Sequence, residues 1–342
     1  MTDDGAAVLD FADRATLLKI GLGFAVSVVL LYLLAVGVGL DAIKDVLARA
    51  DPRWLALGAL STAVCLLAWA KAWDVVLGVV GVDVSFRQLV VTYYAATFAN
   101  YVTPLGQAGG EPFIAYVLSR DTGASYEDSL ASVVTADLLN LMPFFSFAAI
   151  GFATLVVRTT LPDKVEPLAA GLVVLAVGIP ALAAGGWRYR YPLGRLFLRL
   201  VAPISRRTSL VSLESIRERM TDLNEAFQRI ATEPRSLGYA LGFSYVGWVF
   251  FALPLYFAGL TIGVPIDLLL VFFIVPASTL AGMVPSPGGL GGVEVALVAL
   301  LVALTSLTGA GAYAVAIVYR LASYWFALGA GGAAALFVIR RS

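Results

Sequence analysis

No histidine occurs anywhere in the 342-residue chain, and there is one cysteine, Cys65. The missing imidazole excludes Ser-His and Cys-His nucleophile systems, the commonest general base and every His-ligated metal. A lone cysteine in an apolar run excludes a disulfide framework within the chain. No GxxxxGK[ST] loop is present, so no phosphate cradle for ATP is expected. Neither a cofactor nor a metal site is expected. Charge is scarce as well: 13% of residues are charged and 60% hydrophobic, whereas a soluble domain carries about a quarter charged residues. With a mean hydropathy of +0.89, the chain reads as predominantly membrane-embedded. Its 23 basic and 23 acidic residues cancel, so net charge points to no partner, and no nucleic-acid partner is expected. The N-terminus, MTDDGAAVLDFADR, is acidic and polar and does not resemble a cleavable signal, which would begin positively charged.

What the chain does have is long apolar runs. A spanning helix needs about 20 mostly apolar residues. Six runs meet that length: 16–39, 53–80, 125–157, 167–187, 236–262 and 309–339. Two more apolar stretches contain breakers. The first, 86–120, is interrupted by Thr103-Pro104 and Gly109-Gly110; the second, 265–305, by Pro276, Pro285, Pro287 and the glycines that follow. Each half of these stretches is short for a full crossing, so each stretch reads as a hairpin, either re-entrant or made of two short crossings. The expected fold is an all-α polytopic membrane protein with six full spans and two broken helical hairpins.

Arginine and lysine in short loops set orientation. The polar connection 188–235 holds ten arginines and should be cytoplasmic. Counting spans from it places Arg340-Arg341 and the N-terminus, with Arg14 and Lys19, on the same side. The expectation is a multi-pass protein of the plasma membrane with both termini cytoplasmic. Loop 40–53 runs against the rule, because Lys44, Arg49 and Arg53 would face outside. Within the connection, Leu210, Leu213, Ile216, Met220, Leu223, Phe227 and Ile230 recur at three- and four-residue steps, which predicts an amphipathic helix at the interface or under the bundle.

The order of spans repeats: span, span, hairpin, span; linker; span, span, hairpin, span. The first set starts inside and the second outside, a 3+3 inverted-topology repeat of the kind that places a substrate site near the midplane at broken helices. The expected organisation is a first repeat over 1–187 with hairpin 86–120, a linker over 188–235, and the remainder of the second repeat over 236–342 with hairpin 265–305; span 167–187 opens the second repeat. A short motif supports this register. Pro104, Gly106, Gly109 and Glu111 match Pro287, Gly289, Gly292 and Glu294 at identical spacing. Asp137 lies 26 residues after Glu111, and Arg320 lies 26 after Glu294. At about 1.5 Å per residue, each sits roughly 16–18 Å into its helix, half of the apolar thickness.

Glycine permits positive φ and close backbone approach, and proline breaks a helix. Such a turn at membrane depth is tolerated where protein or a water-filled cavity satisfies its free backbone groups. Two readings of Glu111 and Glu294 stay open: they cap their helices, complementing the dipole, or they meet a cationic group or a coupling proton, as intramembrane acids often do. Asp137 and Arg320 either form an ion pair joining the halves, or Arg320 grips a lipid phosphate with its guanidinium fork. Lys71 and Asp74, one turn apart, read as a local pair. Arg87 and Arg120, flanking the first hairpin, attract anionic headgroups or merely set topology.

Two segments carry a resemblance. NYVTPLGQAGGEPFIAYVLSRDTGASYEDSLASVVTADLLN and VPSPGGLGGVEVALVALLVALTSLTGAGAYAVAIVYRLASYW resemble the two signatures of the lysylphosphatidylglycerol synthase transmembrane family, the flippase-like domain, and the resemblance covers nearly the whole chain. It implies a lipid flippase with Gly109, Gly110, Glu111, Gly291, Gly292, Glu294 and Arg320 as pocket residues. One departure stands out: the family commonly shows an acid-arginine pair where this chain has Ala136-Asp137, so a lysyl-lipid substrate does not follow. The expected activity is translocation of an anionic phospholipid or a polyprenyl-phosphate-linked sugar between leaflets. The alternatives are a membrane partner or anchor of a separate glycosyltransferase or lipid synthase, and an enzyme acting on a lipid headgroup. No catalytic motif is seen, which favours a transporter.

Overall fold

Prolines and acids mark where the long helices begin. In the computed structural model, Asp51 accepts a hydrogen bond from the Arg53 amide at 2.9 Å, and Pro52 occupies the first helical position, where its missing N–H costs nothing. The structure describes residues 39–102, 111–158, 213–281 and 286–341, with scattered positions in 29–37 and 174–195. The continuous helices are α1 (Leu40–Leu47), α2 (Pro52–Val79), α3 (Phe86–Val102), α4 (Glu111–Thr122), α5 (Tyr126–Arg158), α6 (Leu213–Ala231), α7 (Pro234–Thr261), α8 (Leu268–Leu280), α9 (Gly292–Leu304), α10 (Gly309–Arg320) and α11 (Phe326–Arg341). A 3₁₀ turn, Pro287–Gly289, precedes α9, and a π turn, Leu321–Trp325, joins α10 to α11. No strand occurs among the described residues.

Five segments are long and apolar enough to cross a membrane: Pro52–Val79, Tyr126–Leu155, Pro234–Thr261, Pro287–Leu304 and Gly309–Val338. Four match expected spans within a few residues. Expected spans 16–39 and 167–187 lie outside the described residues, apart from isolated helical positions. The fifth segment differs from expectation. Sequence made both limbs of hairpin 265–305 short, yet the 3₁₀ turn runs on towards α9 and brings its second limb to 18 residues. The limb before it, Leu268–Leu280, stays short.

Helices α2 and α7 form the central pair and run antiparallel. The Asp51 amide, at the start of α2, donates to the Thr261 carbonyl at the end of α7 at 2.8 Å. Further along, Ser61 Oγ donates to the Phe250 carbonyl at 2.7 Å. Lipid tails are as apolar as leucine, so contact between helices at this depth depends on close packing and interhelical hydrogen bonds. Small residues provide that closeness. A Cβ on Gly151 of α5 would lie 2.6 Å from the Phe273 amide nitrogen of α8, and one on Gly331 of α11 would lie 2.5 Å from the Tyr94 carbonyl of α3. Thus α3 packs on α11, and α8 packs on α5.

The amphipathic helix forms where periodicity placed it. Its apolar face, including Leu223, Ala226, Phe227 and Ile230, packs on Val76 of α2, Ala131 of α5 and Ala240 of α7. Two ion pairs tie it to the start of α5: Arg219 to Glu127 at 3.1 Å, and Arg229 to Asp128. It therefore sits under the bundle, against the C-terminal end of α2 and the N-terminal ends of α5 and α7. The Lys71–Asp74 pair is also present, with Lys71 Nζ 5.1 Å from the Phe86 ring centre.

Candidate functional site

The second breaker is a turn that only glycine makes easily. Gly288, Gly289 and Gly291 have φ of 57°, 66° and 87°, in the left-handed region. At Gly288 there is a second constraint, because a Cβ there would overlap the Tyr324 ring. Pro287, Gly288 and Gly289 are all buried. The chain then enters α9, whose third residue is Glu294.

Glu294 makes two contacts at once. One carboxylate oxygen accepts the Gly291 amide at 2.6 Å, capping α9. The other accepts Arg320 Nε at 2.6 Å. Arg320 Nη2 donates to the Gly288 carbonyl at 2.9 Å, so the guanidinium also ties down the turn. Glu294 is 1% exposed and Arg320 7%. Charges this deeply buried are tolerable when paired and hydrogen-bonded. Both open readings of Glu294 are thereby sharpened: it is a cap, and it also meets a cation, which belongs to the protein itself. The ion pair read between Asp137 and Arg320 is not formed. The partner of Arg320 is Glu294, because the 26-residue interval between them brings α10 back alongside α9.

The π turn directly after Arg320 widens the helix, a feature found often at functional sites. Its irregular carbonyls are satisfied by hydroxyls: Thr62 of α2 donates to the Ala322 carbonyl at 2.8 Å, and Ser323 to the Tyr319 carbonyl at 2.7 Å. The Tyr324 ring centre lies 4.2 Å from Arg320 Cζ, a cation–π contact. Tyr101, at the end of α3, lies against Tyr324 with ring centres 5.1 Å apart.

These groups line a cavity of about 30 Å³, space for one or two waters, walled by Tyr101, Gly288, Tyr319, Arg320, Ser323 and Tyr324, with Phe251, Thr279 and Val293 completing it. Two donors on this wall are unused. The Tyr324 hydroxyl is buried with no hydrogen-bond partner among the described residues. Arg320 Nη1 likewise makes no hydrogen bond to a described residue, since its Nε and Nη2 carry both of the bonds above.

The expected site residues therefore divide. Pro287, Gly289, Gly291, Gly292, Glu294 and Arg320 come together around one turn. Pro104, Gly106, Gly109 and Gly110 lie outside the described residues. Glu111 opens α4 and Asp137 sits in mid-α5, both partly buried, and Asp137 is close enough to Glu111 to feel its charge. Neither lines the cavity. Arg87 and Arg120 are exposed at the far ends of the first hairpin's helices, with Arg120 6.0 Å from the Tyr116 ring centre. Sequence reading missed Gly288, Tyr101, Tyr319, Ser323 and Tyr324. The four-residue step from Arg320 to Tyr324 could have flagged that tyrosine as a cation–π neighbour; nothing local pointed to Tyr101.

A motif pair on broken helices with a buried Glu-Arg couple can be compared with known families. The family model described as the lysylphosphatidylglycerol synthase TM region matches residues 20–331. The chain belongs to this family. It is similar to the UPF0104 membrane protein PH1989 of Pyrococcus horikoshii, 26% identical over 90% of this chain and 93% of that protein. It is also similar to a UPF0104 membrane protein of Methanothermobacter thermautotrophicus, 28% identical over 93% of each chain. As a family member with several apolar helices of spanning length, the chain is a multi-pass integral membrane protein, and the Glu294–Arg320 turn lies well inside the matched region.

Proposed function

We propose that the protein is a flippase-like lipid translocator. It moves an anionic phospholipid, or a polyprenyl-phosphate-linked sugar, between leaflets of the plasma membrane, with the headgroup passing the Arg320 cavity. The single observation that carries this reading is a buried arginine that lines a cavity beside a glycine turn and whose Nη1 makes no hydrogen bond to a described residue. Arginine's rigid fork suits phosphate oxygens, and intramembrane ionisable groups mark substrate paths. The 3+3 inverted repeat belongs to the same reading. It is supported by the antiparallel α2–α7 pair and by reciprocal packing, α3 on α11 and α8 on α5, which relates the hairpin of each repeat to the last span of the other. Both termini and α6 then face the cytoplasm.

The test is reconstitution into liposomes with fluorescently labelled phosphatidylglycerol and a membrane-impermeant quencher. Removing Arg320 alone would strand Glu294, so the informative variant is the double Glu294→Gln/Arg320→Gln, which removes both charges together. Wild type should expose nearly all of the labelled lipid to the quencher, and the folded double variant only the outer half. A folded double variant that still translocates would sink the reading.

A further inference from the structure

The site is neutral, and that constrains how an anion could use it. Arg320 and Glu294 cancel, and both are buried. Among the described residues, the other titratable groups near them are phenols: Tyr313 and Tyr324 near Glu294, and Tyr101, Tyr319 and Tyr324 near Arg320. Helices α7 and α8 contribute Phe251 and Thr279, which do not titrate, and α2 brings Cys65, buried beside the tyrosines. A phosphodiester arriving at Nη1 would leave two anions on one guanidinium in a low-dielectric site, a charge the protein does not offset. A cation has to come with it. A proton is the simplest such cation, because a carboxylate takes it up without any further ligand.

Only one group here can accept that proton. Arginine keeps its own at all relevant pH, and neutral tyrosines and a neutral thiol have no vacancy. Glu294 can. We propose that Glu294 takes up one proton for each phosphodiester anion bound at Arg320, making anion uptake at this turn proton-coupled; this rests on the translocator reading above. The proton comes from water and enters on a carboxylate oxygen of Glu294. Arg320 stays charged and passes from the carboxylate to the phosphate oxygen. The neutral carboxyl still accepts the Gly291 amide, so α9 keeps its cap. On release of the anion the proton leaves and the original pair re-forms.

The test uses the full chain in vesicles of equal parts phosphatidylglycerol and phosphatidylcholine, extracted across about pH 5 to 8, with retained lipid counted by native mass spectrometry. Phosphatidylglycerol keeps its charge over this range. One proton taken up per anion makes its enrichment rise as pH falls, by up to about tenfold per pH unit. In Glu294→Gln the enrichment should be high and independent of pH; glutamine serves equally well in the capping position. Enrichment that is flat with pH in wild type, or that keeps its slope in Glu294→Gln, overturns the coupling while leaving translocation standing. So does a slope abolished by Asp137→Asn instead, which would put the proton in the other half. Absence of phosphatidylglycerol enrichment at every pH overturns both readings. Should Glu294→Gln fail to fold, proton uptake by wild type on adding a short-chain phosphatidylglycerol in weak buffer decides it: about one proton per lipid supports the coupling, and none overturns it.

Discussion

Two places in this chain share a spacing and differ in charge. Glu294 and Arg320, 26 residues apart, are hydrogen-bonded to each other and to the turn before them. Glu111 and Asp137, also 26 apart, face each other as two acids, and neither makes a hydrogen bond or ion pair with a described residue. A packing relation is common to both: the helix that Glu111 opens packs on the long helix that follows, α4 on α5, and the helix of Glu294 packs on the helix that follows, α9 on α10. What differs is whether the long helix returns a cation to the acid. Glu294 is closed on an internal cation, whereas Glu111 and Asp137 have no counterion among the described residues.

The largest effect that would test this contrast comes from opening the closed half. Arg320→Leu leaves Glu294 buried and unpaired and also frees the Gly288 carbonyl. It should lower stability by about 3–5 kcal/mol, the usual result of removing one partner of a buried pair. Thermal unfolding in detergent, followed by tryptophan fluorescence, would report it. A loss under about 1 kcal/mol would mean that Glu294 is already neutral or that water enters freely, and the two halves would then be alike. Next in size is Gly288→Ala. A left-handed φ and a Cβ that overlaps the Tyr324 ring should together cost about 2–4 kcal/mol. By the motif register Leu105 matches Gly288, so a tolerated alanine would show that glycine is no more required at 288 than at the matching position, which carries leucine.

How much of this was legible beforehand follows from which signals are local. Apolar runs and the 3.6-residue period located α2, α5, α6 and α7, because a helix is specified by its own residues and by caps such as Asp51-Pro52. The repeated Pro-x-Gly-x-x-Gly-x-Glu motif found the turn and its acid, since positive φ restricts residue choice. The partner of Arg320 differs from the expected one: matching positions across the two motifs point to Asp137, whereas Glu294, 26 residues back on the preceding helix, makes the bond. The cavity wall was the least legible part. Tyr101 comes from a helix more than 200 residues away in sequence and meets Tyr324 only through the packing of α3 on α11, so no spacing rule could reach it.

The smallest expected effect is the most discriminating. Asp137→Asn keeps the shape of the side chain and removes one of two neighbouring acids. With no hydrogen bond or ion pair to a described residue to break, the substitution should leave the unfolding temperature unchanged or raise it slightly, opposite in direction to Arg320→Leu. Two acids held close inside a membrane protein persist against their own repulsion, so a neutral replacement that is also more stable marks the charge as retained for something other than folding. A clear fall in unfolding temperature would reverse that logic. Asp137 would then have a structural partner, and its charge would be explained by folding, as that of Glu294 is by Arg320.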